Sequence, residues 1–499
     1  MKYFLGIDNG GTLTKAGLFD QKGRELAVAT CPAELRHPQK GFEEIDRKTL
    51  WDANARAIRS VLEKASVPPE QIACVAVAGH GNGMYLVDEN GELLVGIHST
   101  DTRAQAYVDR WNADGTWESL LPKTTQATWA AQPNALFRWF QDHDPETLRK
   151  ARWLFMVKDY IRYCLTGRAA MERTDASATS LLNNNTCQYD SELLDAWGIS
   201  ECRRLLPPLV GTFDLCGYVT ADAARKTGLA EGTPVAGGMF DIDAAGLAAG
   251  MTDATSLCLI SGTWGNNQYI APEPVVSKEV FMTTCYSIPG FYLMLEGSAT
   301  SAANLEWFLR EFLRADRELL QLRGGAETIY DRVNAEMAAT TPKDCETVFL
   351  PYLYTSPVHR DAKGALLGLD AWQCRGHILR AICEGIVFGH CWHIDRLLQF
   401  RNMPDKILLA GGASKSPLWS QMFADILRVP VEIPDGSELG TLGAAIAGAV
   451  AVGEYPDASA ACAAMVRFSR TFLPNPDWAD VYQKKHDRFR ELLWKLYER

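Results

Sequence analysis

The sequence predicts an α/β protein built from two large domains. Three observations carry this. The chain has 499 residues, too many for one ordinary domain. A strand–turn–strand device, "YFLGIDNGGTLTKAGLFDQKG" over residues 3–23, returns as "ATSLCLISGTWGNNQYIAPEP" over 254–274, near half a chain later. Further on, "KILLAGGASKSPLWSQMFADIL" (406–427) reads as a buried strand, a Gly-Gly junction and an amphipathic helix.

The opening stretch has the strand period. Tyr3, Leu5 and Ile7 alternate with Phe4, Gly6 and Asp8. Asn9, Gly10 and Gly11 supply turn chemistry, because glycine accepts positive φ at no steric cost. Two readings fit. A plain hairpin with a flexible tip explains the glycines but not Asp8 or Thr12. A glycine-lined tip whose amides cradle phosphate, with Asp8 near the Mg²⁺ of a nucleotide, explains all of them. The second tip holds Ser261, Gly262 and Thr263. The third turn puts Gly411 and Gly412 at a strand–helix junction, where a nucleotide can approach the backbone closely. Any one of these turns alone could be structural. Three in this order form a more specific pattern.

Composition narrows the classes. Hydrophobic residues make up 47% and charged residues 22%, as in ordinary globular proteins. The formal net charge of -11 argues against broad nucleic-acid binding. The start of the chain lacks the pattern of a secretory signal, and no apolar run is long enough to span a membrane. A cytoplasmic protein with reduced thiols is expected. The 13 cysteines show no C-x-x-C spacing. His390 and His393 in "GHCWHIDR" lie one helical turn apart, but no further ligand follows at a familiar metal spacing. Helix packing is the expectation there. "GGASKS" lacks P-loop spacing, and "GHGNG" (79–83) lacks the full dinucleotide fingerprint.

Asp241 follows an apolar strand and two glycines in "PVAGGMFDIDAAGLAAG", just before a helix of small residues. A carboxylate there could take the proton of an attacking hydroxyl. It could equally cap the helix, a role that Asp243 could fill instead.

Taken together, "GIDNGGTLTKAGLFD", "VKDYIRYCLTG", "GLAEGTPVAGGMFDIDAAGLAAG", "ISGTWG", "GSATSAANLEWF", "RGHILRAICEGIVFG" and "LAGGASKSPLWSQMFADILRVPV" resemble the FGGY carbohydrate kinases over essentially the whole chain. The resemblance implies two RNase H-like domains of the actin and hexokinase superfamily, hinged across a deep cleft. Residues 1–246 would form the sugar-binding domain with the first phosphate loop and the catalytic Asp. Residues 247–499 would form the ATP-binding domain. The resemblance implies ATP with Mg²⁺, a small-molecule sugar as the partner, neither nucleic acid nor membrane, and by family habit a homodimer.

Roles carry over residue by residue. Asp8, Gly10, Gly11 and Thr12 match the first phosphate loop, with Asp8 near the metal. Lys15 matches the lysine of the same stretch, or is a solvated lysine on the returning strand. Ser261, Gly262 and Thr263 match the second phosphate loop. Gly411, Gly412, Ala413 and Ser416 match the adenosine-binding turn. Asp241 matches the catalytic base. The stretch 314–340, two helices around Gly324-Gly325, resembles a variable insert and is assigned no chemistry.

The sugar side departs from the common D-xylulose pattern at Gly81-Asn82, Ser99, Leu136 and "YTSPVHRDAKG". "GMFDIDAAGLAAG", "ANLEWF" and "STDTRA" are instead similar to those of bacterial L-xylulose kinases. His80, Asn82, Asp101, Arg103 and Trp129 are the expected sugar contacts, together with Asp241. Asp101 and Arg103 could also be a local turn ion pair, and Trp129 could be core. The implied reaction is γ-phosphate transfer from ATP to a terminal hydroxyl of a ketopentose, L-xylulose first. Ribulose, erythrulose, erythritol, glycerol and gluconate remain as other acceptors. A superfamily ATPase without sugar kinase activity is the alternative from another class.

Overall fold

The computed structural model describes every residue except Met1, Thr12, Arg47, Lys48, Glu498 and Arg499. The chain forms two compact units. The first comprises residues up to Thr252 together with Ile270–Met294 and Asp435–Arg467. The second comprises Asp253–Tyr269, Leu295–Pro434 and the chain from Phe468 onward. The first unit's long segment thus ends near the expected boundary at 246, and two later segments fold with it.

The first unit is built on a sheet in the order Leu215–Tyr218, Pro234–Ala236, Ile72–Gly79, Tyr3–Asn9, Leu13–Asp20, Glu25–Pro32. The opening hairpin forms as its pattern predicts, with Tyr3 opposite Asp20 and Asn9 opposite Thr14. The tip is tied from within, because Asn9 Oδ1 accepts from Thr14 Oγ1 at 3.1 Å and from Asn54 Nδ2 at 2.9 Å. Tyr3–Asn9 then runs parallel to Ile72–Gly79, which in turn runs parallel to the short strand Met239–Phe240. One face of this sheet buries Leu5, Ile7 and Leu18 in a cluster with Ala57, Ile58 and Val61 of the helix Leu50–Ala65.

Near-contact of backbones marks the approach of helix Leu439–Ala451. A Cβ on Gly6 would lie 1.8 Å from the carbonyl oxygen of Thr441. Small residues, Thr441 and Ala445, face this strand where the backbones meet, and Thr441 to Ala449 are buried. Gly6→Ala is therefore expected to destabilise the first unit by ~1–3 kcal/mol or more, since neither backbone can rotate out of the way. A denaturant midpoint equal to the parent's would mean that the helix can slide.

The second unit repeats the hairpin. Ser256–Ser261 pairs antiparallel with Gly265–Ala271, closing with Ser261 opposite Gly265. Lys406–Gly411 lies parallel on its other side, Ser261 opposite Gly411, followed by Val431–Pro434 and Phe468–Phe472. The expected strand–Gly-Gly–helix appears as strand Lys406–Gly411 and helix Pro417–Leu427, with the Ser416 hydroxyl capping the helix through the Trp419 amide. The last helix, Ala479–Tyr497, buries Tyr482, Phe489 and Leu493 against Val348, Leu350 and Phe388. Leu496, one turn beyond Leu493, is 46% exposed. Among the described residues no helix is long and apolar enough to cross a membrane.

Candidate active site

Three parallel strands of the first unit end together. Their registers place Asn9 and Phe240 both opposite Gly79. The residues around that edge are Asp8, His80 and Asp241. Carboxyl ends of parallel strands are where open α/β sheets place ligands, because loops diverge there.

Asp8 faces the start of helix Leu439–Ala451. A Cβ on Gly440 would fall 2.4 Å from Asp8 Oδ2, so only glycine lets the helix come this close. Asp8 Oδ1 is shielded from solvent without a hydrogen-bond partner among the described residues. Burial pushes the Asp8 carboxyl up to about 6; Lys15 opposes that rise, and Glu438 adds to it. Lys15 Nζ sits 2.6 Å from Glu438 Oε2. Burial works against the lysine's charge, but the Glu438 bond outweighs it and its pKa moves up. Lys15 is thus a half-buried paired cation rather than a solvated one. Gly10 and Gly11 form the tip, where Gly10 N donates to Leu13 O. A Cβ on Gly11 would collide with the His98 ring. Thr12 lies outside the described residues.

Asp241 is the first residue of its helix, whose N-cap is Phe240. Asp243 does not cap that helix either. Its Oδ1 accepts from the distant Ser287 amide at 2.8 Å, which corrects the expected capping role. Burial, with the Asp8 charge adding to it and the Ile242 amide opposing both, raises the Asp241 carboxyl to about 8. Phe240 itself is held from below. Its amide donates to Thr174 Oγ1 at 2.9 Å, and Thr174 Oγ1 donates to Glu172 Oε2 at 2.7 Å. Glu172 belongs to a buried charge cluster with Lys158, Asp159, Asp175 and Arg162. "VKDYIRYCLTG" supplies three of these residues, and sequence reasoning gave none of the five a role. Burying such a cluster is costly unless close pairing and hydrogen bonds offset the desolvation.

The sugar-side candidates separate into two groups. Asp101 and Arg103 bond to each other, with Nη2 to Oδ2 at 2.9 Å. Asp101 also accepts from the amides of Glu43 and Arg103. Arg103 continues to Glu44 and lies on the Phe42 ring. The pair takes the form of the local turn ion pair.

His80, Asn82 and Trp129 behave differently. The His80 and His98 rings lie 4.7 Å apart. Burial and the His98 charge drive the His80 imidazole down to about 3, so it is neutral. Asn82 occupies left-handed backbone at φ 63 in the turn after Ile72–Gly79. The next residue, Gly83, donates its amide to Ala131 O at 2.8 Å, which joins this turn to the Trp129 turn. Asn82 Oδ1, His98 Nε2 and Trp129 Nε1 are all buried without a hydrogen-bond partner among the described residues. Proteins rarely bury unpaired polar atoms, so each of these calls for an explanation, and a polar ligand is one that fits all three. His98 was missed in the sequence, although it immediately precedes the Ser99 that stands out there.

In the second unit the Gly-Gly turn borders a cavity of about 460 Å³. Gly412, Lys415 and Ser416 form one side, and Leu305, Tyr330, Asn334 and Met337 form another. Ser416 Oγ donates to Asn334 Oδ1. Ala413 is buried beneath the turn. The helix Ile329–Ala338, set aside as a variable insert, therefore supplies a wall of this cavity. Gly411, at φ 88, packs where a Cβ would lie 2.5 Å from Ser261 O, so the second hairpin tip and the Gly-Gly turn abut. Thr263 is exposed at that tip, and the Gly262 amide is bonded to Trp264 O.

Residues 3–248 match the N-terminal domain of the FGGY family of carbohydrate kinases, and residues 257–452 match its C-terminal domain. The chain belongs to the FGGY family of carbohydrate kinases. It is 35% identical over 498 residues to the L-xylulose/3-keto-L-gulonate kinase of Escherichia coli strain K12, covering 99% of this chain and 97% of that one. It is also 35% identical to a probable L-xylulose kinase of Pasteurella multocida strain Pm70, covering 99% of each. Among solved structures, the ligand-bound xylulose kinase of Lactobacillus acidophilus superposes with a TM-score of 0.88 at 25% identity, covering 100% of this chain and 99% of that one. The protein is thus a sugar phosphotransferase of the two-domain FGGY kinase fold, a family that takes phosphate from ATP.

Proposed function

We propose that this FGGY kinase transfers the γ-phosphate of ATP to the terminal C5 hydroxyl of a ketopentose, L-xylulose, with Asp241 as the general base. The observation that carries this reading is the group of unpaired buried atoms on Asn82, His98 and Trp129, in the unit that holds Asp241. A polyhydroxy ligand supplies the donors and acceptors they lack. The two relatives named for L-xylulose support the choice of sugar.

The division of labour follows from the groups. Asp241 accepts the hydroxyl proton; a hydroxyl is a poor nucleophile near neutrality, and a placed base contributes ~10²–10⁴-fold. Asp8, with an unpaired oxygen next to a helix N-terminus, fits a residue that holds Mg²⁺. The metal would supply charge neutralisation for the phosphates. The Gly10–Gly11 tip and the Ser261–Thr263 tip would meet phosphate oxygens. The cavity between Gly412–Ser416 and Tyr330–Met337 would take the adenosine.

A coupled ADP-release assay tests the sugar. L-Xylulose is expected to give the highest kcat/KM in a panel with D-xylulose, L- and D-ribulose, 3-keto-L-gulonate, erythritol, glycerol and gluconate. Equal ATP turnover with and without every sugar would sink the reading. A clear preference for 3-keto-L-gulonate would keep the kinase and replace the substrate.

A further inference from the structure

The long helix Arg375–Leu397 carries the two histidines for which the sequence offers only packing. Both are buried, and each has two polar partners. His390 Nδ1 lies 2.7 Å from Asn267 Oδ1, and Nε2 lies 2.9 Å from Ser301 Oγ. Ser301 Oγ lies 3.0 Å from Ser261 Oγ. His393 reaches Glu296 Oε2 and Ser298 Oγ, both at 2.9 Å.

The proton directions in the first chain are forced. Asn267 Nδ2 donates to the Glu296 carbonyl at 3.2 Å, and a carbonyl can only accept. The carboxamide oxygen therefore faces His390, and His390 Nδ1 must carry the proton. Burial drives the His390 imidazole down to about 3, so the ring is neutral and Nε2 is an acceptor. The Ser301 hydroxyl then donates to Nε2. Its oxygen is left to accept, so the Ser261 hydroxyl donates to it. Every proton in the series Ser261, Ser301, His390, Asn267 points inward. The imidazole also packs on the other foot of the hairpin, where a Cβ on Gly265 would lie 3.1 Å from its Cε1.

We propose that His390 is a positioning residue for the Ser261–Thr263 turn. Through Ser301 it holds the Ser261 hydroxyl proton inside the unit, so Ser261 cannot donate to phosphate. The exposed Thr263 hydroxyl is left as the tip's hydroxyl donor. This rests on the reading of the turn as a phosphate loop, and it assigns Ser261 to holding the turn rather than to touching the ligand.

The test uses the full chain and calorimetry with two probes, a nonhydrolysable ATP analogue and adenosine. His390→Phe and Ser301→Ala each break the series and are expected to weaken the ATP analogue by roughly tenfold, the worth of about one well-placed hydrogen bond to a charged group. Adenosine affinity should stay within about twofold, because neither His390 nor Ser301 lines the cavity beside Gly412. His390→Gln can donate through its amide nitrogen and accept through its oxygen, and is expected to restore most of the loss. Unchanged binding of the ATP analogue in both breaking variants would overturn the proposal. So would equal losses for both probes, which mark general damage to the unit. Thr263→Ala separates the two levels of the argument. If it weakens the ATP analogue while the His390 and Ser301 variants do not, the phosphate loop stands and the relay fails. If it has no effect, the phosphate-loop reading fails, and the proposal falls with it.

Discussion

Asp8→Asn is expected to lower kcat by ~10²-fold or more while leaving the fold intact, a loss of the size that follows removal of one oxyanion-hole donor elsewhere. The substitution removes charge and little volume. It also replaces a group whose burial already holds its pKa near 6. The amide is easier to bury than the carboxylate, so the unfolding midpoint at neutral pH should stay level or rise. Raising the Mg²⁺ concentration should recover part of the activity, because the missing ligand lowers metal affinity. Near-normal turnover at ordinary Mg²⁺ would return residues 8–12 to a plain hairpin. Lys15→Ala separates charge from shape in the same cluster. It frees Glu438 to add repulsion to Asp8, and should move the Asp8 carboxyl further up.

The parts of the site that are local in sequence were the parts legible in it. Both hairpins follow from alternation and Gly turns, which act over a few residues. The Gly-Gly junction is likewise visible as strand, turn and helix signals, whereas the Ser416 cap appears only in the structure. Asp241 was found because two glycines and a short strand deliver it to a helix start, although the choice between base and cap could not be made from spacing. What decides Asp243 is the Ser287 amide, which arrives from a separate segment of the first unit. The unpaired atoms of Asn82, His98 and Trp129 are buried by loop packing, and no periodicity announces that. Tyr330 and Asn334 sit on a helix whose pattern is that of any half-exposed helix, so their place on a cavity wall was invisible. The His390 series is more remote still, because each bond in it joins a different element. Asp101 and Arg103 show the reverse case. Their two-residue spacing permitted both a sugar contact and an ion pair, and the burial of both side chains with each other is a tertiary fact.

Asp241→Asn is expected to cost ~10²–10⁴-fold in kcat, equivalent to roughly 3–5 kcal/mol of barrier, with little change in sugar or ATP affinity. The amide keeps the shape and can still bond the hydroxyl, but it cannot take the proton. Asp243→Asn should cost far less in kcat, because its carboxylate is engaged by the Ser287 amide. In the parent, the base form of Asp241 requires loss of a proton held up to about 8. The kcat/KM profile should therefore climb through that region and flatten above it. Removing the Asp8 charge relieves one cause of the rise, so the residual activity of Asp8→Asn should climb at lower pH. Stability carries the opposite sign. Between the ordinary value of 3.8 and about 8, the folded chain holds a proton on Asp241 that the unfolded chain has lost. The unfolded state binds fewer protons there, so this residue's contribution falls as pH rises through that window. Asp241→Asn removes the penalty. Its melting temperature should match the parent near pH 4 and exceed it increasingly toward pH 8, just where its activity is most deficient. A parent profile that is flat from pH 5 to 9, together with melting curves that run parallel, would rule out a carboxyl titrating in this range. If Asp243→Asn rather than Asp241→Asn abolishes turnover, the proton goes to the other aspartate. If both variants stay active, positioning and electrostatics from Asp8 and the two turns carry the transfer without a side-chain base.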